Sequence, residues 1–354
     1  MQFFKLLLLA IVMLGVSTHA FASESTIDSG DTAWILVSIA MVFLMTPGLA
    51  FFYGGMVRTR HVVSTMYQTF VAVGVVGVLW IVIGYSLAFS GDISGVIGDL
   101  SYFMTEGIGH EANGTIPHLA FMIFQGMFAV ICPAIIVGAF AERISFKAWI
   151  PIMGIWSLAV YAPVCHWVWG SGGWIAGHGG LDFAGGLVVH TTAGVAALVA
   201  AMTFGRRKDF GTSMRPYDTG LVILGTGLLT FGWFGFNAGS ALGANSLAAH
   251  AAVTTFLSAA SAMLGWTMVD WHRKGKPSAL GSAIGMVVGL VAITPAAGFV
   301  SVPAALFIGL ASAILCNYIA EFLKQKLHLD DTLDVFACHG VGGILGAITA
   351  VPLT

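Results

Sequence analysis

Ten long apolar runs follow one another along the chain, each closed off by a short polar connection. They cover residues 33–53, 62–89, 118–141, 146–166, 183–204, 219–239, 247–270, 278–294, 301–323 and 334–353. About 20 apolar residues suffice for a helix to cross a ~30 Å hydrocarbon core. The pattern therefore predicts an all-α polytopic membrane protein with ten transmembrane helices. The stretch 167–182 breaks it: Trp167, Trp169 and Trp174 alternate with glycines, which predicts an interfacial or re-entrant segment. An earlier apolar run, Leu6 to Val16, follows Lys5 and precedes the small-residue sequence Ala20-Phe21-Ala22. It is short for a span and reads as a signal peptide over 1–22, leaving a membrane domain over 23–354. An uncleaved short anchor is the alternative.

Composition narrows the class. Of 354 residues, 58% are hydrophobic and 8% are charged, with a net charge of -2, whereas soluble domains carry roughly 25% charged residues. No basic tract is present, which argues against a nucleic-acid partner. Cys132, Cys165, Cys316 and Cys338 lie in or beside apolar runs with no CxxC pair, so they read as buried small hydrophobes. The position of the charges adds orientation. Beyond the leader, every Lys and Arg falls in an odd-numbered connection, from Arg58 and Arg60 to Lys324 and Lys326. The even-numbered connections have none, and the first of them carries Asp92, Asp99, Glu106 and Glu111. The positive-inside rule then makes odd connections cytoplasmic and the mature amino terminus external, in the inner (plasma) membrane. Five spans per half, about 33–204 and 219–353, force the second half into the inverted orientation, around a central pore.

Candidate chemistry lies inside the spans, where an ionisable side chain is costly and points to function. Asp182 opens the fifth run and is followed by His190; Asp334 opens the tenth and is followed by His339. Either aspartate has the position of a helix cap. The histidines lie near the midplane, approached from opposite faces, and neutral imidazoles can donate and accept in a polar relay. Two separate histidines, each bonded to a backbone carbonyl, is the plainer alternative. Phe124 and Phe128 share one helix face, as do Phe236 and Ser240, and Trp169 ends the fourth run. Aromatic faces attract a desolvated cation and a hydroxyl can accept its N–H bond, although a lipid-facing aromatic girdle would use the same residues. No nucleophile–base pair suggests an enzyme, and no cofactor or metal site is expected.

Several uncommon stretches occur in order: PGLAFFYGGMVR (47–58), FQGMFA (124–129), VGAFAERI (137–144), VWGSGGW (168–174), LDFAGGLVVH (181–190), GWFGFNAGSA (232–241) and DVFACHGVGG (334–343). With them the chain resembles the Amt/Mep/Rh ammonium transporter family, in its bacterial Amt branch, from Thr32 to Ala350. The resemblance implies a homotrimer with one pore per subunit, carrying ammonium or ammonia across the bilayer, with methylammonium as a further candidate substrate. It assigns Phe124, Phe128, Trp169 and Ser240 to an outer recruitment site, Phe128 and Phe236 to a gate, and His190 and His339 to the pore. Asp182, with Asp334 as its counterpart, becomes a structural carboxylate. The family pattern has an eleventh span and a cytoplasmic tail, which a chain ending at Thr354 would lack, putting docking of a PII-type regulator in doubt. The expected function is recruitment of NH4+, its deprotonation and conduction of NH3. An ammonium sensor using the same pocket, or a channel for another small neutral solute, is the alternative.

Overall fold

A computed structural model describes residues 27–212 and 215–351; the leader expected over 1–22 lies outside the described residues. The described residues form ten apolar helices: α1 Ser29–Met56, α2 Thr59–Phe89, α3 His118–Phe140, α4 Phe146–Gly177, α5 Gly186–Thr203, α6 Thr219–Ala238, α7 Ser246–Lys274, α8 Ala279–Ile293, α9 Val302–Gln325 and α10 Phe336–Ala350. Eight of them are long and apolar enough to cross a membrane, while α8 and α10 are shorter. A two-residue antiparallel pair, Ala112–Asn113 with Ile116–Pro117, is the only named sheet among the described residues. The helix starts carry their own stops and caps. Asp28 accepts from the Asp31 amide, Asp218 from Gly220 and Asn245 from Ala248, which satisfies N–H groups left over at a helix end. α7 runs past residue 270 to Lys274 and ends at Gly275, whose φ of 73° is the left-handed stop that glycine takes without strain. Large apolar side chains such as Ile155, Met202, Phe307 and Ile348 point outward, as a lipid-facing surface requires.

The segment after Trp169 is a surface turn. α4 breaks at 170–173 and resumes for the single turn Trp174–Gly177. The Trp174 amide donates to Gly95 O at 3.2 Å and the Trp167 indole to Val96 O at 2.7 Å. The turn is thus fastened to the connection after α2 and does not enter the protein.

This end of the bundle, with Asp92, Asp99, Glu106 and Glu111, is its acidic face. The other end is basic and cross-linked by ion pairs. Arg58 bonds Glu142 and Asp209, Arg207 bonds Asp330 at 2.7 Å, and Arg143 donates to the Asp330 carbonyl at 2.6 Å. Burial alone would raise Glu142 and Asp330, but the Arg58 and Arg207 bonds outweigh it and hold both carboxyls below their usual range. These pairs tie together the connections after α1, α3, α5 and α9.

The two halves meet through α5 and α10. Each begins with a widened π turn, Gly186–Thr191 and Phe336–Val341, that holds its histidine. Four residues after each histidine comes a glycine, Gly194 or Gly343. A Cβ on Gly194 would run into the backbone of Gly340, and one on Gly343 into Gly186 O and the Thr191 amide. Only a residue without a side chain lets these helices cross so closely. This reciprocal crossing brings the two histidines together.

The carboxylate that corresponds to Asp182 differs from the expected one. Asp182 lies eight residues before His190, and eight before His339 stands Asp331. Asp331 is buried and accepts the Phe336 amide at 2.7 Å, whereas the Asp334 side chain pairs with Lys324 at 2.7 Å. Asp334 is displaced from the capping role because its own φ is 60°, a left-handed turn residue. Burial, reinforced by the nearby Asp334, pushes Asp331 up to about 6. A carboxyl raised in the folded state contributes most stability below its unfolded value near 4 and loses it as pH rises through about 6. Two units correspond to ~3 kcal/mol. Thermal unfolding in detergent should therefore shift to higher temperature as pH falls from 7 to 5. Asp331→Asn, which keeps an acceptor for Phe336, should flatten that slope; an unchanged slope would assign it to other groups.

Candidate functional site

A cavity of about 370 Å³ opens at the acidic face between α2, α3, α4 and the start of α5. Phe121, Gln125, Trp169, Asp182, Phe183 and Ser240 are among its lining residues. Trp169 and Ser240 are thus brought together at one cavity. Trp169 is held by its indole N–H, which donates to the Asp182 carbonyl at 2.9 Å. Ser240 donates its hydroxyl to Phe236 O, one turn back, at 2.7 Å. Its oxygen lone pairs stay available as acceptors.

Below the cavity the rings form a ladder. Phe128 meets Trp169 edge-on with centroids 6.0 Å apart and stacks on Phe236 at 4.1 Å. Both phenylalanines are fully buried. Rings stacked at that distance are in van der Waals contact, with no gap between them. Phe124 does not line the cavity. Its ring packs edge-on behind Phe128 at 5.0 Å and braces it.

The next rung is His190, 5.8 Å from Phe236 between centroids and stacked at 5.3 Å on Trp233. Its Nδ1 lies 3.2 Å from Nδ1 of His339. Two facing nitrogens at this distance share one proton, so one ring donates and the other accepts. The rings accordingly hold opposite tautomers, and exchanging them reverses the polarity of the pair. His190 Nε2 is buried without any hydrogen-bond partner. Two backbone-bonded, unrelated histidines, the plainer sequence reading, would not leave that arrangement.

Asp182 explains how His190 is aimed. Its carboxylate accepts the amides of Gly185, Gly186, Leu187 and Val188 at 2.7–3.0 Å. It thereby satisfies all four free amides at the start of α5. Gly185 turns the chain with φ of 106°, where a side chain would be strained. The π turn that follows would leave carbonyls poorly bonded, and Thr191 and Thr192 donate their hydroxyls to Gly186 O and Leu187 O, both at 2.8 Å. A further π turn, Phe234–Ala238, carries Phe236. π turns gather at functional sites because they re-aim side chains within a helix.

Residues 33–353 match the Ammonium Transporter Family. An ammonium transporter of Aquifex aeolicus is 48% identical over 343 residues, spanning 96% of this chain and 80% of the relative. One of Bacillus subtilis is 47% identical over 322 residues, spanning 90% and 79%. The crystal structure of Saccharomyces cerevisiae Mep2 superposes with a TM-score of 0.87 at 37% identity, covering 92% of this chain and 74% of that one. The chain belongs to the ammonium transporter family. Its function is ammonium transport, not catalysis, and it is a multi-pass membrane protein. Within the transporter, Gln125 and Phe121 are cavity residues that sequence reasoning passed over. Gln125 stands inside a quoted motif, but an isolated carboxamide between aromatics gives no signal of where it points.

Proposed function

We propose that the transporter recruits NH4+ in the cavity at the acidic face, removes its proton at or below the Phe128–Phe236 pair, and passes NH3 along His190 and His339. The unbroken sequence of contacts from Trp169 through Phe128 and Phe236 to the paired histidines carries this reading. Trp169 offers an aromatic face to a cation in the cavity, with Phe128 directly beneath it, and Ser240 offers an acceptor. A bare cation is costly in the dry space beyond the phenylalanines, which favours passage of the neutral form. The clustering of Lys and Arg at the opposite end supports an external cavity and a cytoplasmic basic face. The family resemblance and the apolar outer helix faces support a homotrimer with one conduit per subunit.

The experiment is ammonium-driven charge movement in proteoliposomes, measured against ammonium concentration. Trp169→Leu removes one aromatic face, worth up to ~2 kcal/mol to a desolvated cation. It should raise the half-saturating concentration about tenfold and leave the maximum nearly intact, because Trp169 lines the cavity and makes no ring contact with the histidine pair. An unchanged half-saturation would overturn the cavity as the recruitment site.

A further inference from the structure

We propose that Gln125 determines the specificity of the recruitment cavity, its carboxamide oxygen accepting an N–H bond from the bound ammonium ion. The proposal rests on the reading of the cavity as a cation site. Gln125 projects from α3 three residues before Phe128, lines the cavity, and is 9% exposed. It makes no hydrogen bond, and its Oε1 is buried without a partner. A buried polar group in that condition is destabilising unless a partner arrives.

The protein cannot supply that partner. The Trp169 indole N–H is committed to Asp182 O, and the Ser240 hydroxyl to Phe236 O. Both oxygens of Asp182 are occupied by four backbone amides. Phe89, Phe121, Phe183 and Phe299 have no donor to give. What remains is a pair of neutral acceptors among aromatic faces: Ser240 Oγ, which has lone pairs to spare, and Gln125 Oε1, which has no partner. Among the side chains that line the cavity, the remaining donor is the NH2 of Gln125 itself. No bond fixes either end of that carboxamide, so a half-turn about its last torsion exchanges them. A cation that carries only donors selects the oxygen. Such a cavity suits ammonium, whose directional N–H bonds use two acceptors fully, over potassium, which needs a ring of oxygens to replace its hydration shell. The acceptors are uncharged, so they strip part of the hydration shell without holding the ion too tightly to leave.

The test compares ammonium-driven currents of the full chain with Gln125→Leu and Gln125→Glu, alongside Trp169→Leu. A hydrogen bond to a charged group is strong enough that Gln125→Leu should raise half-saturation at least tenfold, with the maximum current kept. Gln125→Glu keeps an acceptor and should restore half-saturation to the wild-type value or below. Potassium, which makes no hydrogen bond, should compete more effectively with ammonium in Gln125→Leu. If Gln125→Leu does not fold, Gln125→Met makes the same comparison. Half-saturation within twofold of wild type in the Leu or Met variant, while Trp169→Leu raises it, would overturn the proposal and leave the cavity reading standing. An equal rise in the Leu and Glu variants would also overturn it, showing a packing role. No rise in Trp169→Leu either would remove the cavity reading itself.

Discussion

Asp182→Ala should abolish ammonium uptake and sharply lower the yield of folded protein. Four amides converge on this one carboxylate at a buried helix start. Each amide left buried and unpaired costs ~1–3 kcal/mol, so the loss is comparable with the ~5–15 kcal/mol that holds a typical domain. The damage would not stay at the cap. Residues 185–188 lead directly into the π turn that aims His190, and the Asp182 carbonyl holds the Trp169 indole. Recruitment site and histidine pair thus share one anchor at their common edge. Asp182→Asn is the graded companion. It keeps one acceptor oxygen but sets an NH2 against two donors, so it should fold with a lowered unfolding temperature and transport at least tenfold more slowly. Uptake in cells lacking other ammonium transporters, together with thermal unfolding of the purified protein, reads both effects. An alanine variant that folds and transports normally would reduce the four-amide cap to an incidental contact.

Much of this architecture was legible in the sequence. The ten runs correspond to ten helices because lipid demands about 20 apolar residues per crossing, and that demand writes itself into composition. His190 and His339 were legible for the complementary reason, since a titratable ring in an apolar run stands out. The spacing of Phe236 and Ser240 gave their shared face, and the structure adds the bond between them. Three things were hidden. The π turns were invisible because they arise from how Gly186–Thr191, Phe234–Ala238 and Phe336–Val341 pack, in runs apolar on every side. Asp331 was overlooked for Asp334 because both lie before the tenth helix. Equal eight-residue spacing to the histidines, present in the sequence, would have separated them. Phe124 looked equivalent to Phe128 on one helix face, but only Phe128 reaches Trp169 and Phe236, while Phe124 turns behind it. Side-chain direction within a shared face is set by neighbours on other helices, which spacing alone does not encode.

The histidine pair gives the sharpest test of the conduction step. With Nδ1 atoms 3.2 Å apart, each ring is the hydrogen-bond partner of the other's Nδ1. His190→Ala leaves His339 Nδ1 facing apolar surroundings, and His339→Ala does the same to His190, whose Nε2 already lacks a partner. Losing a hydrogen bond in a dry place costs ~1–3 kcal/mol, so either single variant should lower the ammonium-driven current about ten- to hundredfold. Once one ring is gone the other has no relay to belong to. The double variant should therefore be little worse than the weaker single one, since residues that act as a unit are not additive. A current carried by water filling the vacated space is distinguished by its selectivity: such a leak would admit potassium. The measurement is current against concentration, with ammonium and then potassium, for the two single variants and the double. Losses that multiply in the double variant would show two independent histidines. Wild-type size and selectivity in both single variants would leave them a packing role only, stacked beneath Trp233 and Phe236.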